Sequence, residues 1–288
     1  MDAQDNGQNK IDDFSAPLTA SAAPAFVADE TRFIPGGRAV SAERGLSWIA
    51  DAWNLFKKAP GIWIGFQLIY MASIFVLFIL QIIPIVNIFT FPLTLLLPFV
   101  MLLLIAGIVH SCDLLRRNGT LAFGDLFAGF QRRVGPLLVV GLIGFGFMFV
   151  LGLISLFFFG GAALLLGMQA EPTTGTGVSV AMMVIGSVIM FVGYILYMMA
   201  IWFAPALVFM HNIAPIEAIK MSFSGCLKNI LPGLIFFIAM GVLIFISIIP
   251  LGLGLLVMGP MYLICSYTSY RDIFIDDKRD SAACSLSE

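Results

Sequence analysis

Residues 51–61 read DAWNLFKKAPG, with polar sequence before them and a long apolar run after them. From Leu46 the apolar residues Leu46, Ile49, Trp53 and Phe56 recur at three- and four-residue spacing, while Asp51, Asn54, Lys57 and Lys58 turn elsewhere. That spacing predicts an amphipathic helix, ended by Pro60-Gly61 where the apolar run begins. Two later stretches share the design. FGDLFAGFQRRVGP (123–136) puts Phe123, Leu126, Phe127 and Phe130 on one stripe, with Arg132 and Arg133 just before Gly135-Pro136. PIEAIKMSFSGCLKNILPG (215–233) does the same with Ile216, Ile219, Phe223 and Leu227, with Lys220 and Lys228 off the stripe.

Composition says what these helices border. Apolar residues make up 60% of the chain and charged ones 11%, against roughly half and a quarter in an ordinary soluble domain. A water-soluble globule with so few charges would expose apolar surface nearly everywhere. In lipid only helices and closed barrels satisfy their backbone, and unbroken apolar runs without alternation select helices. The expected fold is therefore all-α: a polytopic helical membrane protein with six transmembrane helices, built as three repeats of an interfacial amphipathic helix plus a transmembrane hairpin.

The six expected spans are Gly61–Ile83, Phe91–Cys112, Pro136–Met168, Val178–Met210, Leu231–Ile249 and Leu251–Tyr270. The last two are separated only by the Pro250 and glycine break in IIPLGLG. The third and fourth are each about 33 residues, roughly 50 Å of helix against a hydrocarbon core of about 30 Å, so they must tilt, kink or project. Gly160-Gly161 is a candidate break in the third. The repeats are expected at about 44–115, 121–210 and 214–274, inside a membrane domain of 41–275. Residues 1–40 and 276–288 are expected to be disordered tails. Residues 1 to about 30 carry Asp2, Asp5, Asp12 and Asp13 rather than a basic start and an apolar core, so no signal peptide is expected.

Lysine and arginine set the expected orientation, because cytoplasmic loops carry an excess of them. They fall before the first span, between the second and third, between the fourth and fifth, and after the sixth. The other three connections hold Glu171 as their only charge. Both termini are expected in the cytoplasm of a bacterial cell, with the protein multi-pass in the cytoplasmic (inner) membrane. Candidate lipid-headgroup or interface residues are Lys57, Lys58, Arg116, Arg117, Arg132, Arg133, Lys220, Lys228 and Arg271. A cation in the headgroup layer gains about 1 kcal/mol from anionic lipid. The expected partners are the bilayer, anionic lipids at the cytoplasmic face and a membrane protein; no nucleic acid is expected. The same helices also fit a plainer role as caps that only obey the charge bias. Pro98, Pro205 and Pro260 are candidate kinks, one in the second span of each repeat. Asp113 in CDLLRR and Asp272 in RDIFID follow the first and last of these spans.

Little catalytic chemistry is encoded. No ionisable residue falls at mid-membrane depth, where catalysis or ion coupling would need one. His110, Cys112, Asp113 and His211 lack the spacing of a metal site, and neither histidine lies deep enough to activate Ser155, Ser187 or Ser247. No cofactor and no enzymatic activity are expected. Four cysteines at one face, in a reducing compartment, predict no disulfide.

The runs WFAPALVFMHNIAPIEAIKMSFSGCLKNILPGL (202–234) and IPLGLGLLVMGPMYLICSYTSYRDIF (249–274) resemble an uncharacterised family of proteobacterial inner-membrane proteins with six spans. The resemblance covers about residues 38–275, and its most specific pieces are Ala204-Pro205-Ala206-Leu207 and Ser269-Tyr270-Arg271-Asp272-Ile273-Phe274. More loosely, an amphipathic helix running into Pro-Gly and a span is similar to the membrane domain fused to some bacterial glycerophosphodiester phosphodiesterases. The resemblance implies location and fold but no activity. The function expected is a structural, accessory, or partner- or lipid-binding membrane component; a transporter or channel for an uncharged or lipid-like solute is the alternative.

Overall fold

Proline starts many of the helices. A computed structural model of the chain describes residues 31–167 and 175–277. After α1 (Arg44–Phe56), Pro60 opens α2 (Pro60–Ile82) and Pro84 opens α3 (Pro84–Thr94). Pro98 lies in the first turn of α4 (Leu97–Asn118), and Pro215 opens α10 (Pro215–Lys228). A proline there loses nothing, because its missing N–H has no partner in the first turn anyway. At the other end of α4, Gly119 adopts φ 72° and its N–H closes on the Leu115 carbonyl at 3.2 Å, a left-handed cap that suits glycine.

The chain is an all-α polytopic membrane protein. Among the described residues five helical runs are long and apolar enough to cross a membrane: Pro60–Ile82, Leu97–Asn118, Val134–Gly167, Thr176–His211 and Ile230–Ile248. Their outer faces carry large exposed side chains such as Phe75, Phe78, Phe149, Phe191 and Phe245. The sixth expected span forms α12 (Leu255–Phe274), which follows α11 (Ile230–Ile248), packs on it and is the more polar and buried of the two. Strands β1 (Thr31–Phe33) and β2 (Ile275–Asp277) pair, and the Ile34 and Arg38 N–H groups donate to the Phe274 and Ile273 carbonyls at 2.8 and 2.9 Å. Both ends of Arg32–Asp276 thus lie at one end of the bundle, and a chain whose ends meet on one side traverses an even number of times. That makes α12 the return leg.

Each repeat unit rests on its neighbour. In the second unit a 3-10 turn (Phe123–Phe127) and α5 (Ala128–Gln131) pack on α4 of the first. In the third, α10 packs on α8 (Gly175–Ile201) and α9 (Ala204–His211) of the second. In the first, α1 packs on α11 and α12 of the third, which closes the ring. Glycines let the backbones touch. A Cβ on Gly107 of α4 would lie 1.9 Å from the Leu126 carbonyl oxygen, and one on Gly129 would lie 2.0 Å from that of Leu103.

Several expectations need correction. The second interfacial element is a 3-10 turn and one helical turn rather than an α-helix, because those two close approaches fix its backbone. The predicted stripes turn mostly outward, with Phe56 the exception: α1 exposes Leu46 and Trp53 and buries Phe56 with Gly45, Trp48, Ala52 and Leu55, and α10 exposes Ile216 and Leu227 over a buried face of Ala218, Ser222 and Gly225. Gly160-Gly161 does not break the third span: α6 (Val134–Ser155) runs through a π-helical turn (Leu156–Gly160) into α7 (Gly161–Gly167), which packs on α8. Pro98 and Pro205 start α4 and α9, and only Pro260 of the three lies inside a helix. The tail expected through residue 40 ends sooner, since residues 33–40 are bonded to the bundle. The remaining expectations for residues 1–30, 168–174 and 278–288, Cys284 included, lie outside the described residues.

Candidate functional site

The up-and-down order of the helices carries all nine basic candidates to the end where α1, α5 and α10 lie. Lys57, Lys58, Arg117, Arg132, Arg133, Lys220 and Lys228 are exposed, and Arg116 and Arg271 are half-buried. Beneath this rim are two carboxylates that the repeat placed at matching positions. Asp113, near the end of α4, accepts from Arg117 Nε at 2.7 Å and from the Tyr267 hydroxyl at 3.0 Å, with an Arg116 nitrogen at 3.6 Å. Asp272, near the end of α12, accepts from Arg44 Nε and Trp48 Nε1, both at 2.8 Å, and from Arg38 at 3.4 Å. Arg38 Nε also donates to the Asp272 carbonyl at 2.8 Å.

Residues 34–43 form a strap over this end. Asn229, buried between α10 and α11, holds it from below: its Oδ1 accepts from Val40 N–H, and its Nδ2 donates to the Arg38 and Gly225 carbonyls. Lys228 Nζ donates to the Gly36 and Gly37 carbonyls at 3.0 and 3.1 Å. Two side chains, Asn229 and Lys228, therefore hold the backbone of the strap, and Asp272 holds its Arg38 side chain. Lys228, a sequence candidate for lipid headgroups, is also a structural clamp. The amphipathic pattern pointed to Lys228 but not to Asp272, Asn229, Arg38 or Arg44; the shared acidic residue in CDLLRR and RDIFID was the available signal.

Pro205 cannot donate, and it separates α8 from α9 at Trp202–Phe203. Ser222 of α10 repairs the gap. Its hydroxyl accepts from Phe203 N–H at 3.0 Å and donates to the Met199 carbonyl at 2.8 Å. Ser222→Ala is expected to cost about 2 kcal/mol, because it leaves the buried N–H without a partner. Thermal unfolding in detergent checks this, with Ser224→Ala as the paired control.

The residues that could have supplied chemistry do not assemble. The His211 ring bonds to the Tyr270 hydroxyl and stacks on Phe33 at 4.0 Å, while His110 lies against Phe209. Among the described residues no group of three or more His, Cys, Asp or Glu side chains could hold a metal ion. Cys112, Cys226 and Cys265 are free thiols. Burial pushes the Cys226 thiol up to about 12, so it stays protonated and unreactive near neutrality. Labelling of Cys226 by a maleimide, read by mass spectrometry of its peptide, is expected to be slow at pH 7 and to quicken at higher pH as the thiolate fraction grows.

A cavity of about 430 Å³ opens between α8 and α11, bounded by Trp48, Trp202, Phe236 and Phe237 among others. Of the polar residues in the spans, Thr90 and Thr94 bond through their hydroxyls to carbonyls of their own helix, buried Gln67 lies against Gly259, and Tyr194 lines the cavity. No family model, curated protein or solved structure matches the chain. The site must be read from its own geometry: a basic, hydrogen-bonded rim above an apolar bundle.

Proposed function

We propose that the protein is a non-enzymatic component of a bacterial cytoplasmic membrane, binding anionic lipid and a membrane-protein partner at its basic end. One observation carries this reading: the large apolar side chains of the interfacial elements, Leu46, Trp53, Phe123, Phe130, Ile216 and Leu227, are exposed beside the cations. On α10 the residues turned inward are the small Ala218, Ser222 and Gly225. An exposed apolar stripe flanked by lysine and arginine suits the headgroup layer, where aromatic and aliphatic groups enter the acyl boundary and cations meet phosphate.

The experiment is a topology map with copurification. A periplasm-active reporter fused after Arg133 or after Glu288 is expected to be silent, and one inserted after Glu171 active; activity at either basic site overturns the proposal. Full-length protein drawn from membranes in mild detergent is expected to bring anionic phospholipid and one stoichiometric membrane protein with it. The apolar cavity favours a second reading, a carrier for a lipid-like solute. Transfer of fluorescent phospholipid between leaflets of proteoliposomes would decide for it.

A further inference from the structure

The ring of repeats is sealed at two of its three seams. α4 packs on α6 and α12 packs on α2, so the second long helix of one unit meets the first of the next. The third seam, α8 to α11, has no comparable contact and holds the cavity of about 430 Å³ instead. Trp48, Phe203 and Phe236 make its buried floor; Phe191, Leu234 and Phe237 make its exposed rim. Protein interiors normally close such voids, and this one has the size of a small-molecule site, which spans roughly 300–1,000 Å³.

Rigid walls hold it open. The Trp202 ring meets Phe236, Phe237 and Tyr262 edge-on, with centroids 5.8, 5.3 and 5.3 Å away. Phe236 in turn leans on Trp48 at 6.1 Å. Gly233 of α11 lines the space, and a Cβ there would meet nothing within 4 Å. Asn229 lines one end, but the strap already uses its carbonyl and amide. The wall is otherwise aromatic, aliphatic and sulfur-bearing, with the Tyr194 hydroxyl as the exception.

The occupant follows from where the mouth opens. Its rim residues lie on the outer faces of α8 and α11, both within runs apolar enough to cross a membrane, so it faces hydrocarbon. Lys228, next in sequence to the cavity residue Asn229, is exposed; its ammonium gives hydrogens to the Gly36 and Gly37 carbonyls of the strap that Asn229 also holds, and an ammonium carries three. We infer that the α8–α11 seam binds one acyl chain of a membrane phospholipid, entering sideways and leaving its phosphate outside against Lys228. The inference rests on the lipid-facing part of the proposed function and not on a protein partner.

Gly233 and Gly241 both lie on α11 with open space around a Cβ, and only Gly233 lines the cavity. The full-length protein and the variants Gly233→Phe and Gly241→Phe are purified in mild detergent, and bound phospholipid is counted by mass spectrometry. Wild type and Gly241→Phe are expected to keep about one phospholipid per chain, and Gly233→Phe about tenfold less. After reloading from mixed phosphatidylglycerol and phosphatidylcholine vesicles, Lys228→Gln is expected to keep a phospholipid without the preference for phosphatidylglycerol. Gly233→Leu makes the same comparison with less bulk should the Phe variant not fold. Equal retention by wild type and the Gly233 variants, or a wild type that carries free fatty acid or no lipid, overturns the site. A reporter active after Arg133 overturns the proposed orientation even with the seam lipid in place; an unfilled seam with silent reporters overturns the site alone.

Discussion

Alanine at Gly107 is expected to separate the first repeat from the second. The added methyl would lie 1.9 Å from the Leu126 carbonyl oxygen and 2.7 Å from its carbon, so backbone rather than a pliable side chain has to move. Gly129 faces the same limit against the Leu103 carbonyl, and the two approaches are reciprocal across one interface. Overpacking of this kind costs about 3 kcal/mol or more, above the usual run of point substitutions. Thermal unfolding and monodispersity in detergent measure the loss, with Gly146→Ala as control because its Cβ meets nothing within 4 Å. Since one helix face has to accommodate both, Gly107→Ala and Gly129→Ala together are expected to cost less than the sum of the two.

Removing the Asp272 carboxylate is the second large effect expected. Its side chain is 7% exposed, and Asp272→Ala strips partners from Trp48 Nε1, Arg44 and Arg38 together. Truncating one member of a buried charge network costs about 3–5 kcal/mol, and the lower figure applies here because both arginines are two-fifths exposed and solvent screens them. Protease cleavage in the strap is expected to accelerate as well, because Arg38 loses one of its anchors and keeps only the Asp272 carbonyl and Asp276. Asp113→Ala is expected to cost less: Arg116 and Arg117 are carried on the same helix as Asp113, and the Tyr267 hydroxyl of α12 keeps its bond from Arg116. A cycle of Asp272→Ala and Arg44→Ala isolates that pair from the indole bond.

The architecture was legible because it depends on coarse properties. Run lengths, Pro-Gly boundaries and the positions of lysine and arginine locate most helices within a few residues, and the recurrence of aromatic, cation, proline and glycine locates the units; the second span is the exception, since it begins at Leu97 rather than Phe91, after a separate helix, α3 (Pro84–Thr94), that was not expected. The inward faces were less legible. Periodicity marks the outward stripe, with Leu46, Trp53, Ile216 and Leu227 exposed, but not what packs beneath it: Trp48, Leu55 and Phe56 with Gly45 and Ala52 on α1, and only Ala218, Ser222 and Gly225 on α10. In lipid the outside is as apolar as the core, so close approach by small residues decides which face is buried. The strap failed for another reason. Asn229, Lys228 and Asp272 reach Gly36–Val40 from about 190 to 230 residues away in sequence, and nothing local announces such a contact.

Closure of the ring bears on how the protein is made. Among the described helices α1 leaves the ribosome first, yet its seat is built from α11 and α12, which leave it last. At about 5–20 residues per second the nascent chain must keep Trp48 and Phe56 unsatisfied for roughly ten seconds or longer. An early helix that waits so long needs somewhere to rest, and the headgroup layer can shelter it until the carboxy-terminal hairpin arrives.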